Sequence, residues 1–491
     1  MDMLDIVRIV GGLAILGAGA WFAGRRIWYL IRLLRVAQPM PERIAALRRR
    51  WTSLFDEVLG QRKILAWTGV GVLHTFIFWG FLILQSQTLE AAGEVFDPDF
   101  HIPLIGRSDL LGFLQDLFTL LVLFGVVGFA MVRLAQAPGR LGRASRFSGS
   151  NLDQGWYVLL FEFALLYSVL ILRGARTATG TLPYPDGAFV SSWVGRQLAS
   201  LGDPALETVL VVALLCHLTV FVAFAIYTLH SKHLHIFTIP FAIPLARKPK
   251  ALGTLETTPI DIDEMGEDDV LGVGAIEQFG VKRFLDFYTC TECGRCQSQC
   301  PAWNTGKPLS PKLVIMDLRD HLWDRGPALL NGNGHTDDVP PLVSAEPGGP
   351  GVIDFDVLWS CTTCGACVEE CPVDIEHVDH IMDLRQYQAQ MESVFPAEAG
   401  GMLRNLENSG DPWGLGAGKR LDWAAGRDVK VLGEDVEPGE VDYLFWVGCA
   451  GALEDRAKKT TRTVADLLNA AGVRWAVLGR AETCTGDPAR R

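Results

Sequence analysis

The sequence predicts a membrane all-α five-helix bundle, followed by a cysteine-rich α+β domain and the start of an α/β domain. Three observations predict it. Five apolar stretches reach or approach membrane-spanning length in the first half. Eight of the eleven cysteines fall in two tight runs in the second half. The last fifty or so residues alternate buried-strand and amphipathic-helix patterns. Composition agrees: 49% of the 491 residues are hydrophobic, 20% are charged, and the mean hydropathy is +0.22. Those values exclude a disordered or fibrous chain, and a soluble chain of this size carries more charge. Residues 1–250 carry a net +7 and the remainder −19. The sum of −12 gives no case for a nucleic-acid partner.

The five stretches are Leu4–Ala23, Ile64–Leu84, Leu110–Leu134, Trp156–Leu172 and Leu206–Leu229. The first has no small-residue cleavage site before the basic run Arg25, Arg26, Arg32, Arg35, so it reads as an anchor rather than a cleaved signal. The fourth is short, about 17 residues, and spans with little tilt. Loop charges set the orientation. The loop Gly24–Lys63 holds ten Lys and Arg, and the next, Gln85–Asp109, holds only Arg107. Arg133, Arg140, Arg143 and Arg146 follow the third stretch. The positive-inside rule puts the first and third loops in the cytoplasm. The N-terminus then lies outside the inner (plasma) membrane, and everything after His230 lies inside.

Ionisable residues inside a bilayer are costly and functional by default. His74 lies about ten residues into the second stretch and His217 about eleven into the fifth, both near mid-depth at ~1.5 Å per residue. Neutral imidazoles facing one another across a bundle are candidate axial ligands for haem. His235 is a third candidate, while His230 and His233 read as interfacial. The bland alternative is polar glue between helices. Asp116 and Glu162 also lie within spans, as candidates for a quinone or proton role.

Polar, acidic residues 246–280 read as a linker. Two runs follow: Cys290, Cys293, Cys296 and Cys300 before Pro301, and Cys361, Cys364, Cys367 and Cys371 before Pro372. Each is the C-x2-C-x2-C-x3-C-P run of bacterial ferredoxins. Three thiolates on a tight loop grip three corners of a cubane, and Gly294 and Gly365 let the loop wrap it. In two-cluster proteins the fourth thiolate crosses to the other cluster. The expectation is one [4Fe–4S] cluster on Cys290, Cys293, Cys296 and Cys371, and another on Cys361, Cys364, Cys367 and Cys300. The spacing suits a ferredoxin-like, partly α-helical domain over 281–395 and argues against zinc. Within the insert, Leu313–Trp323 reads as helix and Asn331–Pro350 as loop.

A connecting segment, 396–440, leads to VDYLFWVGCAGA ending at Cys449–Ala452, an amphipathic stretch Glu454–Ala471, and VRWAVLG before Cys484. This is a β-α-β start over 441–491, and strand ends are where α/β folds place ligands.

Three resemblances carry these motifs further. The five-helix layout of 1–245 and the segment HLHIFTIPFAIPLARK resemble the haem b membrane subunit of respiratory nitrate reductase. That family carries two ligands eighteen residues apart on its last helix and two ligands ten apart on its second. His217 and His235 match the first pair, and His74 matches one position of the second pair. Leu84 occupies the other. The resemblance implies one haem b on His74 and His235, and leaves a second, using His217, without its partner. Depth alone pairs His74 with His217, so both pairings stand. The tail resembles the opening of a CCG domain, as found in heterodisulfide reductases. That implies Cys449 and Cys484 as ligands of a further iron–sulfur centre in the complete domain. Thr485 stands where the second thiol of the pair is expected, and the chain ends seven residues after Cys484, so the domain reads as truncated.

In this order the three parts resemble membrane-bound iron–sulfur oxidoreductases that pass electrons between electron-transfer flavoprotein and menaquinone. The implied partners are that flavoprotein or another cytoplasmic donor, menaquinone and membrane lipid. Two other classes carry the same motifs: a quinol-linked heterodisulfide or sulfur-compound reductase, and a non-catalytic electron-wire subunit.

Overall fold

A computed structural model describes residues 3–47, 50–247, 266, 269–332 and 339–490. The chain divides into two compact units, Met1–Leu384 and Arg385–Arg491. Most of the expected linker, 248–265 and 267–268, lies outside the described residues, as does 333–338 of the expected loop.

In the first unit, five helices are long and apolar enough to cross a membrane, among the described residues. They are α1 (Met3–Leu34), α2 (Thr68–Glu94), α3 (Asp109–Ala135), α4 (Leu152–Ala178) and, after the short α5 (Phe189–Leu198), α6 (Asp203–Thr228). α2 packs along α3, α4 between α5 and α6, and α6 along α1.

Helix ends depart from the hydropathy reading where charged side chains find partners, aromatic and carbonyl for α1 and ionic for α2 and α4. α1 continues to Leu34, carrying Arg25, Arg26 and Arg32 on its last turns instead of in a loop. There the Arg26 guanidinium lies 5.0 Å from the ring centres of both Tyr29 and Trp323, and its Nε donates to the Leu229 carbonyl at 3.1 Å. α4 has 27 residues, not 17. It continues through Arg173 and Arg176 because both are buried against acids: Arg173 on Asp116 at 3.2 Å, and Arg176 on Glu94. Likewise α2 runs ten residues past Leu84, because Glu90 accepts from Tyr184 Oη at 2.5 Å and Glu94 meets Arg176. A buried, partnered charge does not end a helix.

The rest of the first unit comprises α7 (His235–Leu245), α8 (Val281–Thr289), α9 (Pro311–Leu330) and most of α10 (His377–Gln390). α9 exceeds its expected extent at both ends; Ser310 caps it, its Oγ accepting from Leu313 N at 3.3 Å. Residues 339–350 carry no helix, and Val343 bridges Ile353. A single apolar core holds Phe279, Phe284 and Phe287 of the cysteine-rich part together with Leu30, Leu33 and Leu229 of the bundle. Burying aromatic side chains this way is worth about 1.5–3 kcal/mol each. The cysteine loops are thereby fixed against the bundle, not tethered to it.

The second unit holds α11 (Ala397–Ser409), β1 (Tyr443–Leu444), α12 (Asp455–Ala470) and β2 (Trp475–Ala476). β1 and β2 pair in parallel, Tyr443 opposite Trp475, with α12 as the crossover. The strands are shorter than the apolar runs that announced them. Trp423, Leu453, Ala465 and Trp475 form the core.

Candidate functional site

The two cysteine loops repeat one backbone. Glu292 and Thr363, each two residues after the first cysteine, take φ of 56° and 55°, and Gly294 and Gly365 take 75° and 77°. A left-handed non-glycine residue costs energy, so the fold must hold it in place. Glu292 is held: its buried carboxylate accepts from Asn151 N at 2.8 Å and Asn151 Nδ2 at 3.1 Å, and pairs with Lys232 at 3.0 Å and Arg319 at 3.1 Å.

The thiols gather in two sets. Cys296 stands close to Cys290, Cys293 and Cys371, and Cys371 close to Cys293. Cys300 shares a small cavity with Cys361, Cys364 and Cys367. So the last cysteine of each run joins the first three of the other. Cys296 and Cys367 meet in a shared buried cluster with Val378. Burial pushes the Cys290 thiol up to about 11 and raises Cys296, Cys300, Cys367 and Cys371 as well. Such thiols ionise by exchanging a proton for a metal. Among the described residues no group of three or more His, Cys, Asp or Glu is arranged for a single metal ion.

Four cations surround the first set, three of them distant from it in sequence. Arg319 and Lys312 lie near Cys290, and Arg146 and Arg295 near Cys293. Lys312 Nζ donates to the carbonyls of Arg146 at 3.1 Å and Ser148 at 2.6 Å, and burial pushes it down to about 8. Lys312 and Arg319 share α9, Arg146 follows α3, and Arg295 lies within the cysteine run itself.

A cavity of about 500 Å³ runs from Cys293 into the bundle, past His74, His233 and His235 to His217. His74 and His235 are near neighbours. Each has Nδ1 engaged away from its Nε2: His74 on Gln61 Oε1 at 2.8 Å, His235 on the Lys232 carbonyl at 3.1 Å. Burial pushes His235 down to about 4, keeping the ring neutral. His217 Nδ1 meets Ser168 Oγ at 3.0 Å, and its buried Nε2 has no partner. Leu84 lines the same cavity. His233, read as interfacial, lines it too, its ring 5.8 Å from that of His235. His230 is exposed. Outward-bonded Nδ1 atoms, a neutral ring at His235 and an orphaned Nε2 at His217 fit axial ligation of a haem.

The two membrane acids part company. Asp116 is fully buried and saturated: Arg173, Ser191 Oγ at 2.7 Å, and the amides of Val190 at 2.7 Å and Ser191 at 2.9 Å all reach it. It pins the start of α5 to α3 and α4. Glu162 lines the cavity with an unpartnered, buried Oε2. In the second unit Cys449 and Cys484 come together, and Arg420 Nη2 donates to Cys449 Sγ at 3.3 Å. Glu482 ties Arg420 to the amides of Val447 at 3.1 Å and Gly448 at 2.7 Å.

Known proteins are similar to this chain in sequence. A family model described as a 4Fe-4S dicluster domain matches residues 289–375. The chain is 31% identical over 472 residues to the probable iron–sulfur-binding oxidoreductase FadF of Bacillus subtilis, covering 90% of this chain and 65% of that protein. It is 29% identical to the EtfAB:quinone oxidoreductase of Syntrophomonas wolfei, covering 94% of this chain and 66% of the relative. It is 30% identical to the probable membrane-anchored ferredoxin of Chromohalobacter salexigens, covering 100% and 68%. The chain thus spans about two thirds of the length of these curated relatives. No solved structure matches it. Five membrane-length helices joined to two cysteine loops, with a relative 30% identical and covered over 68% of its length, make the chain a member of the membrane-anchored ferredoxin family, with a 4Fe-4S dicluster domain.

Proposed function

We propose that the chain passes electrons between a cytoplasmic donor, electron-transfer flavoprotein, and menaquinone in the bilayer. One observation carries the reading: a single cavity is lined by Cys293 of the cysteine loop, by His74 of α2 and His217 of α6, and by His235 of α7. Cys290, Cys293, Cys296 and Cys371 hold the cluster next to that cavity, and Cys361, Cys364, Cys367 and Cys300 hold the other. His74 and His235 hold a haem b. Bound in these places, the clusters and haem supply one-electron carriers that bridge a two-electron flavin and a two-electron quinone.

The chain's own residues do the rest. Gln61 and the Lys232 carbonyl fix the two imidazole planes. Buried apolar walls exclude water, and Asp116 with Arg173 keeps the outer end of the bundle rigid. The basic loops orient the cysteine loops toward the cytoplasm, with the N-terminus outside. Cys449 and Cys484 are candidate ligands of a further iron–sulfur centre in a complete CCG domain. The relative described as an EtfAB:quinone oxidoreductase supports the choice of donor and acceptor.

The test uses the purified full chain in detergent. Reduced electron-transfer flavoprotein should reduce a b-type chromophore, and adding a menaquinone analogue should reoxidise it. A chromophore that responds to neither the flavoprotein nor the quinone would end this reading.

A further inference from the structure

Three arginines line the cavity near the histidine pair: Arg133, Arg146 and Arg295. They form a chain through two aromatic rings. The Arg133 and Arg146 guanidinium carbons lie 5.4 and 4.9 Å from the Phe147 ring centre, and those of Arg146 and Arg295 lie 5.5 and 5.0 Å from that of Trp67. Arg295 is close to His74, and Arg133 to His233.

Beyond Cys293, which lies near Arg146 and Arg295, and Glu370, which lies near Arg295, these cations outnumber the acids free to meet them. Among the described residues Arg133 donates no hydrogen bond, and Arg146, about 9% exposed, leaves its buried Nε without a partner. Arg295 spends Nη1 and Nη2 on the carbonyls of Lys63 and Ile64, both at 2.9 Å. The acids on the cavity wall are engaged or distant. Glu292 is saturated by Lys232, Arg319 and Asn151; Glu57 faces Arg62 at 3.2 Å and Lys63 at 4.0 Å. Among the described residues Glu162 forms no ion pair, and its buried Oε2 has no hydrogen-bond partner. Gathering like charges in a buried apolar cavity is unfavourable unless an anion answers them.

We propose that Arg133, Arg146 and Arg295 form a carboxylate cradle for the two propionates of the porphyrin held by His74 and His235. The inference rests on the haem reading above. A guanidinium fork matches a carboxylate in two parallel hydrogen bonds, which suits paired propionates on one porphyrin edge. Propionates held there would lie on the side of the cavity that Cys293 also lines.

The experiment compares the purified full chain with Arg133→Gln, Arg146→Gln, the double variant, and Arg133→Lys. Haem content comes from the pyridine haemochrome, and the propionate bending bands from resonance Raman spectra. A wild-type chain without haem removes the haem reading itself, and this inference with it. With haem present, each Gln variant should retain it roughly tenfold more weakly, as expected for a lost charge-assisted bond. Its propionate bands should shift, and Arg133→Lys should recover part of the retention. Gln variants that hold haem as tightly as wild type, with unmoved propionate bands, overturn the cradle. So does a change confined to the electron paramagnetic resonance of the cluster on Cys293, which would make the arginines partners of that cluster alone. If a Gln variant fails to fold, Arg133→Lys decides by its Raman bands: unmoved bands overturn the cradle, shifted ones support it.

Discussion

The two cysteine loops share sequence pattern and backbone but not surroundings. Around the first, Glu292, Gly294, Arg295, Cys296 and Gln297 are buried. Gly294 sits so close to the bundle that an added Cβ would lie 1.9 Å from the Arg146 carbonyl oxygen. Around the second, Cys364 is exposed, and a Cβ on Gly365 would meet nothing within 4 Å. The same loop therefore sits in two different settings. One is pressed against the bundle part under a shell of cations; the other presents a thiol to solvent. Under the relay proposed above, the open loop is where a soluble donor arrives, and the closed one is where electrons leave for the bilayer.

The sharpest way to break this comparison is to remove the crossing cysteines. Cys371→Ser should abolish the same cluster signal as Cys293→Ser and spare the one lost in Cys364→Ser, measured by electron paramagnetic resonance with iron and acid-labile sulfide counts. Loss of the Cys364 signal in Cys371→Ser would uncross the ligands. Next in size is the cavity beyond the closed loop. His74→Ala or His235→Ala should remove the b-type α-band from purified protein. An undiminished band in His74→Ala takes His74 out of the ligand set, and His217→Ala measured beside it identifies the partner.

The two glycines give a more moderate contrast. Both have positive φ, so alanine at either costs about 1–2 kcal/mol. Only at 294 does the new methyl also collide with backbone. Gly294→Ala should lower bound iron and sulfide to a fraction of wild type, whereas Gly365→Ala should keep both clusters with a modestly reduced melting temperature. Equal losses would mean that the closed loop is not held as tightly as its contacts imply.

The legible part of this molecule is local. Hydropathy locates five spans, the cysteine spacing locates both loops, and a β-α-β pattern locates the parallel pair in the second unit. What escapes the sequence is long-range pairing. Arg173 and Glu94 look like helix ends until Asp116 and Arg176 are found beside them. Asp116 looks like a proton site until four donors are found holding it. Arg133, Arg146 and Arg295 look like orienting loop charge, or a residue of the cysteine run, until one cavity collects them. In each case the partner comes from another segment, and no periodicity encodes it.

The smallest expected effect concerns the open loop. Residues 251–491 carry a net −19, and exposed Glu369 lies on the helical turn after Cys367. An acidic surface at the exposed thiol suits a donor with a basic patch. Encounters of this kind are steered by charge, so charge acts on the association rate more than on later steps. Raising salt from 0.1 M to 1 M shortens the Debye length from about 10 Å to about 3 Å. Reduction by the flavoprotein donor should then slow several-fold, and Glu369→Lys should slow it about two-fold at low salt. Reduction by a water-soluble quinol analogue, which enters from the bundle, should change little in either case. Equal salt sensitivity of the two routes, or none in either, would leave the acidic half as solubilising surface and remove the reason to place the donor at Cys364.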